Sequence, residues 1–261
     1  MLILITFVVN AKNISMNAHV MCQRNTLNYL AVWLKRFRKR KGYGVHSPAA
    51  FYLIRFVFFE KAVYYDYERL MTVVRKAREH FDKYVVHLRL YKLLFRLVNN
   101  AQPTSIIEVG RVIGLTTVYL AAPCKNVSVV SMDVKRNKNL SEFTSLMLKQ
   151  YAPNVELHEG AVVSCLDEVL LRMQKEERLF VLFRPELFEI EAAVLIFKKL
   201  IKATNSQSVI VMTGIHANKA LNRLWKDYIK SDKISVTFDL YELGVMYFDH
   251  SYAKQNYLIN F

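Results

Sequence analysis

An α/β fold, a doubly wound and mostly parallel sheet preceded by a basic helical N-terminal extension, is what this 261-residue sequence predicts. Three observations carry that prediction. From Ser105 onward short apolar runs alternate with segments of helical period, the last such runs leave no room for a helix between them, and the excess of positive charge lies almost wholly in the first hundred residues.

A chain of this length with 53% hydrophobic residues buries one large core, which excludes the disordered and fibrous classes. The net charge of +15 divides it: residues 1–100 carry 18 Lys and Arg against 5 Asp and Glu, an excess of 13, whereas residues 101–261 carry 19 against 17. The expected units are therefore a basic helical extension or lid over 1–100 and the α/β domain over 101–261. The opening "LILITFVV" lacks a basic flank and is too short to span a bilayer, so it reads as a buried strand, or as an over-extended start ahead of Met16, rather than a targeting segment. Cys22, Cys124 and Cys165 lie far apart in no ligand pattern, and their odd number argues against a disulfide framework; a cytoplasmic location fits.

Taken in order, the first helical signal is the recurrence of Leu27, Leu30, Ala31, Leu34 and Phe37, which runs into "KRFRKRK", Lys35 to Lys41. Such a helix either packs its apolar stripe on the body and solvates its cations, or meets a polyanion or an anionic membrane surface through residues 35–41. Gly42 and Gly44 then predict a bend, and Ser47-Pro48 a helix start with Ser47 as cap and Pro48 in the first turn. Tyr43 and His46 sit in that clamped loop as candidate lid residues. Two basic, aromatic helices are expected over the run from Tyr64 to Arg96, leading to a turn at Gln102-Pro103.

"SIIEVG", "VSVVSMD", "NVELHEG", "RLFVLFR" and "SVIVMTG" read as strands, each followed by a helix, which implies a parallel sheet covered on both faces. The ending "ISVTFDLYELGVMYFD" is expected to pair as an antiparallel hairpin around Glu242 to Gly244.

Ligands of such sheets bind beyond the carboxyl ends of the strands, and the first strand–helix turn contacts them. Here that turn is "EVGRVIG": Gly110 lets the backbone approach a ligand, Gly114 opens the next helix, and Asp133 ends the second strand 23 residues after Gly110, where an acid accepts both hydroxyls of a ribose. His216, two residues past Gly214 at the end of the fifth strand, is the best placed candidate base, against the plainer reading of a helix-start histidine bonded to local backbone. Glu186, Glu189 and Glu191 read as a solvated acidic helix start.

The stretches "RKGYGVHSP", "KLLFRLVN", "IIEVGRVIGLTTVYLA" and "VTFDLYELGVMYF" together resemble a class I S-adenosylmethionine-dependent methyltransferase of the group found in Bacteroidetes, itself similar to the small-molecule O-methyltransferases. The resemblance runs from about Arg38 to Phe261. It implies a Rossmann-like, seven-stranded sheet with the last strand antiparallel, and S-adenosylmethionine as cofactor. By the same resemblance Glu108, Gly110 and Gly114 surround its methionine half, Asp133 holds its ribose and Gly160-Ala161 lies near its adenine. Three positions depart from the pattern. Arg111 stands where a small residue is usual, and its guanidinium either binds the cofactor carboxylate or fills the pocket. Phe183 and Arg184 replace an acidic element after the fourth strand, and Thr213-Gly214 replace an acidic pair after the fifth, so the positions that hold a divalent cation in related enzymes supply no carboxylate and no metal site is expected. Two classes stay open: a metal-independent methyltransferase whose acceptor, a small molecule by preference, is unnamed, and a methyltransferase-fold protein that has lost catalysis and binds nucleic acid or an anionic surface through its basic third.

Overall fold

The computed structural model describes residues 32–39, 41–85, 88–124, 126–174 and 177–261. The apolar opening run, Met16, Cys22 and the start of the first amphipathic pattern lie outside the described residues.

The N-terminal third is helical. After a helical turn at 32–35 and the bend at Gly42 and Gly44, whose φ angles are +81° and +76°, comes α1 (Pro48–Tyr52). The Ser47 hydroxyl accepts from the Ala50 N–H at 3.3 Å and Pro48 takes the first turn, as the Ser-Pro pair predicts. A π-helical turn, Leu53–Phe58, continues α1, and buried Arg96 donates to its last carbonyls, Val57 O at 2.7 Å and Phe58 O at 2.8 Å. Those carbonyls have no helical partner of their own, so the arginine completes the turn. The two expected helices follow as α2 (Asp66–Phe81) and α3 (Leu88–Ala101).

The sheet is built from β1 (Ser105–Val109), β2 (Ser128–Asp133), β3 (Val155–Glu159), β4 (Leu179–Phe183), β5 (Val209–Thr213), β6 (Val236–Asp239), β7 (Leu243–Tyr247) and β8 (Gln255–Leu258). Its order is β3-β2-β1-β4-β5-β7-β6-β8, with β7 antiparallel to both β5 and β6. The β6–β7 hairpin is the one the helix-free ending predicts. One expectation is corrected: the described sheet has eight strands, not seven, and the last, β8, pairs parallel with β6, so the antiparallel strand is the next to last. Gln255–Leu258 lacks a strong apolar alternation and is half exposed, which is why sequence pattern passes over it.

Between the strands run α4 (Leu115–Ala121), α5 (Lys138–Tyr151), α6 (Val162–Arg172), α7 (Ile190–Ala203) and α8 (Lys219–Tyr228). Alternate residues of each central strand enter opposite layers. Phe180, Leu182, Val209 and Val211 join a cluster with Ile54, Phe58, Leu93 and Leu97, whereas Val181, Phe183, Ile210 and Met212 join one with Leu166, Ile196, Phe197 and Trp225. Each such side chain stabilises the fold by about 1.5 to 3 kcal/mol. The first cluster unites α1, α3 and the sheet, so the basic third shares the core of the α/β unit.

Candidate functional site

The winding reverses between β1 and β4, the two strands that lead from the centre of the sheet toward opposite edges. A ligand crevice is expected beyond their carboxyl ends. The loop after β1 enters it with Gly110 at φ +97°, Val112 at +60° and Gly114 at +77°. A left-handed β-branched residue is strained. Val112 is held there because its N–H donates to Asp133 Oδ2 at 2.9 Å. Gly110 is obligatory for a second reason: a Cβ on it would lie 2.9 Å from both Arg184 Cβ and Leu187 Cδ1.

The predicted residues divide among several places. Glu108 is fully buried, its carboxylate accepting from the hydroxyls of Thr116, Thr117 and Ser131, the last at 2.7 Å; it ties β1 to α4 and β2. Asp133 is also fully buried and accepts four N–H groups, from Val112, from Val134 at 2.9 Å, and from Arg136 Nε and Nη2 at 2.9 and 3.0 Å. Four donors fill the lone-pair sites of one carboxylate. Arg111 turns toward the β2–β3 side, where Nη1 donates to Ser131 O at 3.2 Å and Nη2 to Glu159 Oε1 at 2.6 Å. Gly160 and Ala161, with Asp133, His158, Glu159 and Cys165, border a cavity of about 200 Å³ at the ends of β2 and β3.

His216 belongs to a different cluster. Its Nε2 lies 2.7 Å from Asp239 Oδ2 and its Nδ1 2.8 Å from Asn222 Nδ2. The Asn222 amide N–H donates to Nδ1, and Nε2 lies between Asp239 Oδ2 and Arg36 Nη2, the latter at 3.2 Å. Tyr241 stacks on the imidazole at 5.2 Å, and Arg36, with Nη1 2.9 Å from Asp239 Oδ1, lies over the tyrosine ring. Burial alone would raise the Asp239 carboxyl, but the hydrogen bonds from His216 and Arg36 outweigh it and hold it below its ordinary range. Tyr43 and His46 are exposed, and no hydrogen bond among the described residues joins either to His216.

Two residues overturn their expected surroundings. Glu186 is buried, not solvated: its carboxylate accepts from Thr213 Oγ1 at 2.7 Å, and burial pushes its carboxyl above the usual range against the lowering effect of Arg184. Thus a carboxylate does reach the end of β5, brought by the 3-10 turn Pro185–Leu187, a folding-back that residue spacing does not reveal. Arg36, inside the run read as a cationic face, is 6% exposed, while Leu34 and Phe37, read as the packing stripe, are exposed. The Pro185 that follows Arg184 is the only sequence signal that could have found the first. Among the described residues no group of three His, Cys, Asp or Glu side chains is placed to hold a metal ion, and no helix is long and apolar enough to cross a membrane.

No known family model matches the chain, and no curated protein is similar to it in sequence. Its fold does match solved structures. It is similar to an O-methyltransferase from Bacillus cereus in complex with S-adenosylhomocysteine (TM-score 0.53, 14% identity, covering 73% of this chain and 93% of that one). It is also similar to the Podospora anserina methyltransferase PaMTH1 bound to S-adenosylhomocysteine (TM-score 0.56, 11% identity, 87% and 97%). A third is TomG, the O-methyltransferase of tomaymycin synthesis from Streptomyces achromogenes, in complex with S-adenosylmethionine (TM-score 0.52, 18% identity, 69% and 88%). The chain therefore has the Rossmann-like fold of class I S-adenosylmethionine-dependent methyltransferases.

Proposed function

We propose that the protein is an S-adenosylmethionine-dependent methyltransferase of the O-methyltransferase type, working without a metal ion on a small acceptor. The observation that carries this reading is the joined geometry of loop and second strand: Val112 is pinned to Asp133 beside a cavity of about 200 Å³ bordered by Gly160 and Ala161. That cavity suits the adenosine half of the cofactor, with Asp133 toward the ribose and Gly160-Ala161 toward the adenine. A ribose would take over the acceptor sites now filled by Arg136, an exchange of one set of donors for another. The bound cofactor supplies an already activated methyl on a sulfonium, so alignment of the acceptor supplies most of the rate.

Acceptor-side chemistry is assigned to His216, with Tyr43 and His46 on the loop that closes the N-terminal side. In that role Nδ1 is the basic nitrogen, exchanging its bond from Asn222 for an acceptor proton, and Asp239 steadies the resulting imidazolium. Metal independence is supported by Phe183, Thr213 and Gly214 and by Glu186, a single carboxylate next to the Arg184 charge where a hard cation wants several oxygens. Methyl transfer unchanged by a chelator is the expected result; transfer abolished by chelation and restored by a divalent ion would overturn this part.

A second reading, a catalytically inactive binding protein with this fold, is favoured by the four-donor saturation of Asp133 and the Arg111–Glu159 pair. Titration calorimetry with S-adenosylmethionine and S-adenosylhomocysteine decides between them. Binding of both supports the enzyme; a folded protein that binds neither transfers the case to the second reading.

A further inference from the structure

Two arginines lie at the carboxyl end of β1, Arg111 in the loop that follows it and Arg184 at the end of the neighbouring β4. Arg111 is bound to β2 and β3. Arg184 follows β4 directly, on the other side of the switch point, with its backbone N–H on Val109 O at 3.0 Å. Its stem lies in the notch left by the missing side chain of Gly110, and Pro185 stiffens the chain behind it.

Arg184 is 8% exposed, and its Nε is buried with no hydrogen-bond partner. No hydrogen bond or ion pair joins its guanidinium to the described residues, and the nearby carboxylate of Glu186 is bonded to Thr213. A guanidinium stays charged at any working pH, and burying one with an unused donor carries a cost that a neutral core residue avoids. A guanidinium whose Nε is buried and unpartnered matches one chemistry: a planar or tetrahedral oxyanion bound by two parallel hydrogen bonds.

We propose that Arg184 is the anchor for a ligand carboxylate or phosphate in the crevice between β1 and β4. Two ligands could bring that oxyanion, the amino-acid end of the cofactor or an anionic methyl acceptor, and the first of these rests on the function proposed above.

The test uses the full chain and its Arg184→Gln variant with three probes: S-adenosylhomocysteine, 5′-methylthioadenosine, which keeps the nucleoside and lacks the carboxylate, and inorganic phosphate. If Arg184 holds the cofactor carboxylate, the parent binds S-adenosylhomocysteine at least tenfold more tightly than methylthioadenosine, and the variant loses that gap while its methylthioadenosine affinity stays. If it holds an acceptor oxyanion, the gap is the same in both proteins, and phosphate raises the melting temperature of the parent but not of the variant. An unchanged gap together with an equal phosphate response, or none, in the two proteins overturns the anchor. Failure of both nucleosides to bind the parent counts against the proposed function, and the phosphate comparison then judges Arg184 alone. Should Arg184→Gln not fold, Arg184→Lys replaces it: it retains the charge and loses the fork, so a partial loss of the same response is expected, and parental behaviour overturns the proposal.

Discussion

Glu186 carries a pH signature that can be read from a single residue. Its carboxyl is raised by burial above the ordinary 4.5, so the folded state favours the protonated form. The stabilisation tied to that form is complete below 4.5 and is lost as pH rises through the folded value. Glu186→Gln keeps a neutral hydrogen-bonding group at all pH values. The expected outcome is a variant whose melting temperature, relative to the parent, improves as pH rises from 4.5 through the folded value and is level above it. A constant difference across that range would show that Glu186 does not titrate differently on folding. Arg136 is tested by a change of opposite kinds. Arg136→Ala removes two charge-assisted hydrogen bonds from Asp133 and is expected to cost about 2 kcal/mol in urea denaturation. Because the same change frees two acceptor sites, methylthioadenosine is expected to bind several-fold more tightly. Weaker or equal binding would mean that the ribose does not go to Asp133.

At the scale of elements, the cluster of Arg36, His216, Tyr241 and Asp239 joins the segment at 32–39 to the carboxyl ends of β5 and β6. Arg36 also reaches Ile259 O at 3.4 Å, and Asn260 N–H donates to Lys39 O at 3.0 Å, so the segment before α1 and the residues after β8 are held by one network. Removing one member of a buried ion pair leaves the other charge without compensation. Arg36→Ala is accordingly expected to cost about 3 kcal/mol at pH 7. The cost has a predictable sign with pH. Asp239 is held below its ordinary 3.8, so its contribution is present above that value and fades as pH falls through the folded one. The deficit of the variant narrows in acid, and a deficit that widens below pH 4 would contradict the assignment. Within the same cluster His216 bonds the Asn222 side chain through Nδ1, not local backbone, and Asp239 through Nε2.

For the whole molecule the charge asymmetry has a definite geometric form. Lys35, Arg38, Lys39 and Lys41 are exposed beside exposed Leu34 and Phe37, the combination that adsorbs on an anionic membrane surface through both Coulomb attraction and apolar burial. Replacing those four cations with serine is expected to abolish sedimentation with phosphatidylserine vesicles at low salt, and the parent's binding is expected to fall steeply as salt rises. Arg36 is left in place because the fold uses it. Equal vesicle binding by the two proteins would make the basic run an ordinary solvated surface.

By itself the sequence determined what depends on neighbours along the chain: the strand–helix alternation, the Ser47-Pro48 helix start, the hairpin before β8, the glycine turn and the acid that ends β2. These are legible because period, capping and turn chemistry act over a few residues. Only the tertiary structure decided where the charged side chains of the site turn. Arg111 and Arg184 are 73 positions apart and border one loop, yet Arg111 is tied to Ser131 and Glu159 while no hydrogen bond joins the Arg184 guanidinium to the described residues. Glu186 reads as solvated along the chain and is buried because the 3-10 turn folds it onto Thr213, and the half-exposed β8 exists only because β6 offers it an edge. The physical reason is common to all three: a side chain's partner is fixed by which strands lie side by side, and strand order is a property of the packed sheet rather than of any local run of residues.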